Sequence, residues 1–115
     1  MSEIEILSAF EKMIGNYPDL PVIETKELLR QNLPKFDIQD EAIIEALLRD
    51  RDNILDKSFI EGIENYLENT ALDSNRRDFL KSEEGQRKVV EIFISVLQNL
   101  IDYFYHVILT RQFGG

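Results

Sequence analysis

This sequence predicts an all-α protein, a compact helical bundle of about five helices that ends in a long, highly apolar one. Three observations predict it. Apolar side chains recur at three- and four-residue spacing along most of the chain. No stretch shows the strict alternation of a half-buried strand. Between Val89 and Leu109, 15 of 21 residues are apolar or aromatic. At 115 residues the chain reads as a single domain, 1–115, of a size that can bury roughly two-thirds of the surface its unfolded form exposes.

Ile6, Leu7, Phe10, Met13 and Ile14 place a first amphipathic helix over residues 3 to about 15, and Gly15-Asn16 with the stretch from Pro18 to Pro21 ends it. Leu28, Leu29 and Leu33 mark a short second helix, starting near Thr25 and stopping before Pro34. Ile43, Ile44, Leu47 and Leu48 form the buried side of a third, from about Asp37 to Arg49. Asp37 stands at its N-cap position, and Asp40 and Glu41 suit the positive end of its dipole. Asp56 is the expected cap of a fourth helix carrying Phe59, Ile60, Ile63, Tyr66 and Leu67. Residues 74 to 81 add a further turn or two, and Ser82 is the expected N-cap of the last helix.

That last helix differs from the others. Its polar residues, Glu91, Ser95, Gln98, Asn99, Asp102 and His106, step by about one helical turn and make a narrow stripe on an otherwise apolar cylinder. Such a helix is wrapped by the other helices or shares its surface with a second chain. Phe93, Leu97, Leu100, Phe104 and Ile108 are the expected core or dimer-interface anchors, and a homodimer through this helix is expected because the other helices are short. A membrane span is not expected, since Glu91, Asp102 and His106 would each be costly in lipid.

Charge is unevenly spread. The chain holds 22 acidic and 13 basic residues, a net charge of −9. Residues 1–73 contribute 17 acidic against 7 basic side chains, and residues 74–115 contribute 5 against 6. Nucleic acid is therefore not an expected partner, because phosphate binding needs clustered Lys and Arg. Asp50, Asp52, Asp56, Glu61, Glu64 and Glu68 lie close together, the last three on one helical face, and form either a solvated surface or an acidic docking face for a basic protein partner.

Candidate chemistry is sparse. With no cysteine there is no disulfide framework, Cys-based zinc site or thiol nucleophile, and the single His106 excludes any site needing two imidazoles. Asp102 and His106 are neighbours on the last helix, and Ser95 lies on the same stripe. Ser95 is nonetheless eleven residues from His106, about 16 Å along a straight helix, too far for a hydrolytic triad. A buried or interfacial Asp102–His106 pair satisfying its own hydrogen bonds is expected instead. The five glycines form no phosphate-binding loop. No catalytic residue, metal site or cofactor is expected.

The segment from Ala9-Phe10 through Ile23-Glu24-Thr25-Lys26-Glu27-Leu28 resembles the first helix-loop-helix of a calmodulin-type EF-hand protein, and Asp50-Arg51-Asp52-Asn53-Ile54-Leu55-Asp56 is similar to the start of a second loop. The resemblance covers about residues 6 to 68. It implies that Ile23 pairs the two loops and that Glu27 and Glu61 are the closing carboxylates. The ligand positions 1, 3 and 5 of the first loop hold Asn16, Pro18 and Leu20, Pro21 stands in place of its glycine, and Leu55 replaces the glycine of the second. What the resemblance implies is thus a degenerate EF-hand with weak or lost calcium binding.

The expected function is that of a small acidic protein-protein interaction module, an adaptor, inhibitor or immunity-type partner, or chaperone-like protein, without catalytic activity. The degenerate EF-hand is the alternative. The first ten residues lack a basic region followed by an apolar stretch, so a cytoplasmic location is expected.

Overall fold

The computed structural model describes the backbone of residues 2–35, 41–49, 54–69 and 75–113, and within these the side chains of 3–35, 42–49, 54–69 and 75–107. The described residues form six α-helices and no strand: α1 (Ser2–Ile14), α2 (Val22–Asn32), α3 (Glu41–Arg49), α4 (Leu55–Asn69), α5 (Arg76–Lys81) and α6 (Glu83–Phe113), with a 3-10 turn (Leu33–Lys35) after α2. The expected all-α bundle is what forms, with one helix more than expected because residues 76–81 are a helix in their own right. Asp37, the expected cap of α3, lies outside the described residues, as do Asp50 and Asp52.

Helix α6 is the axis of the bundle. Its 31 residues span about 46 Å at 1.5 Å per residue, close to the 53 Å long dimension of a molecule only 29 and 23 Å across. Helices α2, α3, α4 and α5 all pack on it, and α1 lies across α2, α3 and α4. Along α6, Val89, Val90, Phe93, Leu97 and Ile101 are buried, while Ile92, Ile94, Val96 and Leu100 pack at the edges of the same core. The stripe of Glu91, Ser95, Asn99, Asp102 and His106 faces solvent, and Gln98 is half-covered. The chain's own helices therefore bury the inner side of the apolar cylinder from Val89 to Ile101.

Three rings fill the centre. Phe10 of α1, Phe59 of α4 and Phe93 of α6 are each fully buried, with centroids 4.8, 5.5 and 6.0 Å apart in edge-to-face and tilted geometry. Each such pair is worth about 0.5–1.5 kcal/mol beyond the area it buries. Two glycines set how closely α6 is approached. A Cβ at Gly62 in α4 would stand 2.9 Å from the Ile92 side chain, so the missing side chain lets α4 seat against α6. A Cβ at Gly85 would stand 1.9 Å from the Phe79 carbonyl oxygen, an overlap that backbone cannot relieve without moving α5 off α6.

The helix ends explain where sequence expectation and structure part. Ser82 caps α6 as expected: its hydroxyl accepts from the Gly85 amide at 3.0 Å and donates to the Phe79 carbonyl at 2.5 Å. Asn75 caps α5 by accepting from the amides of Arg77 and Asp78. Helix α2 begins at Val22, three residues before the expected start. Pro21, with φ −68°, supplies the carbonyl that accepts from the Thr25 amide at 3.0 Å, and its ring fixes φ without needing a donor. Asp56 is not the cap of α4. The Ser58 amide donates to the Ile54 carbonyl, so the helix starts earlier, with fully buried Leu55 in its first turn. Asp56 instead sits inside that turn, where its charge suits the dipole.

Among the described residues, one buried side-chain polar atom has no hydrogen-bond partner. Thr25 is fully buried, and its Oγ1 makes no hydrogen bond. An unsatisfied buried hydroxyl costs about 1–3 kcal/mol. We expect Thr25→Val to raise the stability of the protein by about 1 kcal/mol in urea denaturation. A fall in the transition midpoint would show that the hydroxyl is satisfied.

Candidate functional site

The acidic face expected around α4 is only partly available. Glu61 and Glu68 are exposed, and among the described residues neither takes part in an ion pair. Asp56 is half-buried. Glu64, expected on the same face, is instead committed to the fold. Arg76 grips it from α5 with two bonds, Nη2 to Oε1 at 2.5 Å and Nη1 to Oε2 at 3.1 Å. The Tyr17 hydroxyl, between α1 and α2, donates to Oε1 at a long 3.4 Å. Glu64 thus joins three parts of the chain, and reversing its charge would disturb the fold along with any docking face.

This cluster changes how Tyr17 titrates. The residue is buried, so desolvation penalises the phenolate most. The Glu64 carboxylate adds its charge and its hydrogen bond in the same direction, and Arg76 opposes them, leaving a phenol pushed up from 10.0 to about 12. The same Glu64 bond raises the Arg76 guanidinium further above its ordinary value. A second bridge, Arg77 to Asp19 at 3.1 Å, fastens α5 to the α1–α2 connection. Both pairs are part-exposed, so each contributes well under the worth of a buried pair.

On α6, Phe93 and Leu97 are core residues, Leu100 and Phe104 pack half-buried against the core, and the side chain of Ile108 lies outside the described residues. Of the two places expected for the Asp102–His106 pair, buried or interfacial, burial within the bundle is not what forms. Both are exposed, and Asp102 accepts from Gln98 Nε2 at 2.9 Å. The reason is the phase of the helix, since the polar stripe faces solvent where the wrapping helices stop. Ser95 is exposed on the same stripe. Beyond Ile101, Tyr103 is 61 % exposed against the edge of Phe104.

In the first segment likened to an EF-hand, residues 15–21 separate α1 from α2, and Glu27 lies inside α2. Ile23, which would pair the loops, is 80 % exposed, and Glu27 is bound to Arg30. That guanidinium holds the Glu27 carboxyl below its ordinary value.

A groove not expected from the sequence lies between α1 and α3. It has a volume of about 480 Å³ and is lined by Ile4, Glu5, Ser8 and Ala9 on one wall and Glu45, Leu48 and Arg49 on the other. Ala9 and Leu48 are buried beneath it, whereas Ile4 is 71 % exposed at its edge. The available signal was the phase of Ile4, which falls outside the buried series Ile6, Phe10, Met13 and Ile14. Among the described residues no helix is long and apolar enough to cross a membrane. No protein family, curated protein or solved structure matches the chain.

The Tyr17 cluster gives a prediction at alkaline pH. A phenol whose folded pKa lies above its unfolded value stabilises the native state fully below pH 10 and loses that contribution as pH rises towards 12. We expect stability to fall across that window, and Tyr17→Phe to flatten the fall, read by urea denaturation at pH 9 to 12. An unchanged slope in the variant would mean that Tyr17 does not carry the effect.

Proposed function

We propose that this chain is a small acidic interaction module without catalytic activity, which binds a basic protein partner through the carboxylates of α4. The carrying observation is a contrast. Six ion pairs form elsewhere among the described residues, while Glu61 and Glu68 stand exposed on one face with none. Charges left in solvent and of one sign speed encounter with a complementary partner and select against others. The excess of acid in the first 73 residues points the same way. An adaptor, an inhibitor or immunity-type protein and a chaperone-like protein would all use such a surface, with shape and apolar contact supplying affinity.

The chemistry-bearing side chains do not favour an enzyme. Asp102, His106 and Ser95 are exposed along one helix, and Ser95 is about 16 Å from His106 at 1.5 Å per residue. No observation favours calcium sensing in the described part of the chain over this reading.

The test is a reversal confined to residues that the fold does not use. Glu61→Lys with Glu68→Lys should leave the circular dichroism and melting midpoint nearly unchanged, since exposed substitutions usually shift stability by about 0.5 kcal/mol or less. In pull-downs from native lysate, a stoichiometric partner should be retained by the wild type, weakened by added salt, and lost from the double variant. Equal capture by both proteins would sink the acidic-face reading.

A further inference from the structure

We infer that the groove between α1 and α3 is a docking site for a basic amphipathic segment of another protein, one that inserts a single large apolar side chain between flanking lysines or arginines. The inference rests on the interaction-module reading and gives it a second, separate surface, since no residue of α4 lines this groove.

The volume of about 480 Å³ falls in the range of sites that take a specific ligand group. The lining residues span about one and a half turns on each helix, roughly 6–8 Å, which suits one anchoring side chain and its neighbours rather than a long helix. The groove offers that anchor an apolar floor, where Leu48 and Ala9 close the bottom, and an aliphatic edge at Ile4. An aliphatic side chain left 71 % in water gains by being covered, and a partner's apolar residue laid over Ile4 and Leu48 would cover it.

The charges identify the occupant. Glu5 stands on the α1 wall and Glu45 on the α3 wall, both exposed, and neither takes part in an ion pair among the described residues. Two carboxylates lining one concavity with a low-dielectric floor focus a negative potential into it. A cation placed on either side of the anchor relieves that repulsion. Arg49 is the cation among the lining residues, and its place in the last turn of α3 complements that helix's dipole. A second copy of this chain is a poor occupant, because it brings a net charge of −9 to an acidic groove. A segment that is basic and amphipathic satisfies both the floor and the walls.

The experiment is a titration of the full ¹⁵N-labelled chain, at physiological ionic strength, with a synthetic amphipathic helix of leucine and lysine about four turns long. Its leucine–glutamate counterpart serves as control. We expect saturable shifts at the amides of Ile4, Ser8, Glu45 and Leu48, with no such response to the acidic peptide. Glu5→Lys with Glu45→Lys should weaken binding about tenfold or more, equivalent to about 1.4 kcal/mol. Both positions are exposed, so the variant should keep its fold, and its unperturbed spectrum checks this. The reversal on α4 should leave the peptide's affinity unchanged. Shifts gathered around Glu61 and Glu68 with the groove silent would overturn the groove and leave the module reading standing. Concentration-dependent shifts at the groove without peptide would make a second copy the occupant and overturn the proposal. Equal binding of the acidic peptide, or no saturable shift at all, would overturn it too, while the pull-down above judges the module reading independently.

Discussion

Three phenylalanine rings, Phe10, Phe59 and Phe93, meet where α1, α4 and α6 come together, and the rest of the bundle is arranged around that junction. The rings come from residues far apart in sequence, so their burial is the point at which local helix formation becomes a fold. Its consequences run along α6. Once Phe93 faces inward, the one-turn spacing carries Val89, Leu97 and Ile101 to the same side and turns Glu91, Ser95 and Asp102 to water. Gly62 lets α4 come close enough for Phe59 to reach the junction, and Gly85 lets α5 fold back on the start of α6. The inner side of an apolar helix that would be a liability alone is thereby covered within one chain over the stretch from Val89 to Ile101.

Electrostatics then decides which charges remain for function. Four cations from α5 and α6, Arg76, Arg77, Arg87 and Lys88, are each taken by a carboxylate. Two of those carboxylates, Glu64 and Asp19, belong to the acidic first part of the chain, so the charge asymmetry of the sequence is partly cancelled across the fold. What is left uncancelled among the described residues includes Glu61 and Glu68 on α4 and Glu5 and Glu45 beside the α1–α3 groove. Pairs inside the bundle fasten helices, and unpaired carboxylates outside it shape the field that a partner meets.

Much of the fold was legible because helical periodicity is a local property. The series Ile6, Phe10, Met13 and Ile14 and the series Ile43, Ile44, Leu47 and Leu48 both emerge buried on their helices. Ser82 was legible as a cap because its hydroxyl acts within three residues. Errors arose where tertiary contact outweighed local preference and where a backbone carbonyl, not an apolar series, set the helix start. Burial of Leu55 draws the start of α4 ahead of Asp56, and Pro21 starts α2 before its apolar series begins. The site was less legible still. Nothing in the spacing of Glu61, Glu64 and Glu68 tells which one Arg76 will claim, since the claim depends on how α5 lies against α4. The groove is a property of two helices that meet only in the fold, and the one local sign of it is that Ile4 falls out of phase with the buried series of α1. Asp102 and His106 are neighbours by spacing, and only the end of the wrapping shows that they face solvent.

If the phenylalanine junction holds the bundle together, then α1, α4 and the inner part of α6 open only as one unit. Native-state hydrogen exchange measures this directly, residue by residue. Amides around Phe10, Phe59 and Phe93 should exchange at a common free energy equal to that of global unfolding, and those of short α5 at a lower one. Exchange of α1 at a distinctly lower free energy than the inner turns of α6, with the latter still protected, would contradict the claim that this junction is what the fold depends on.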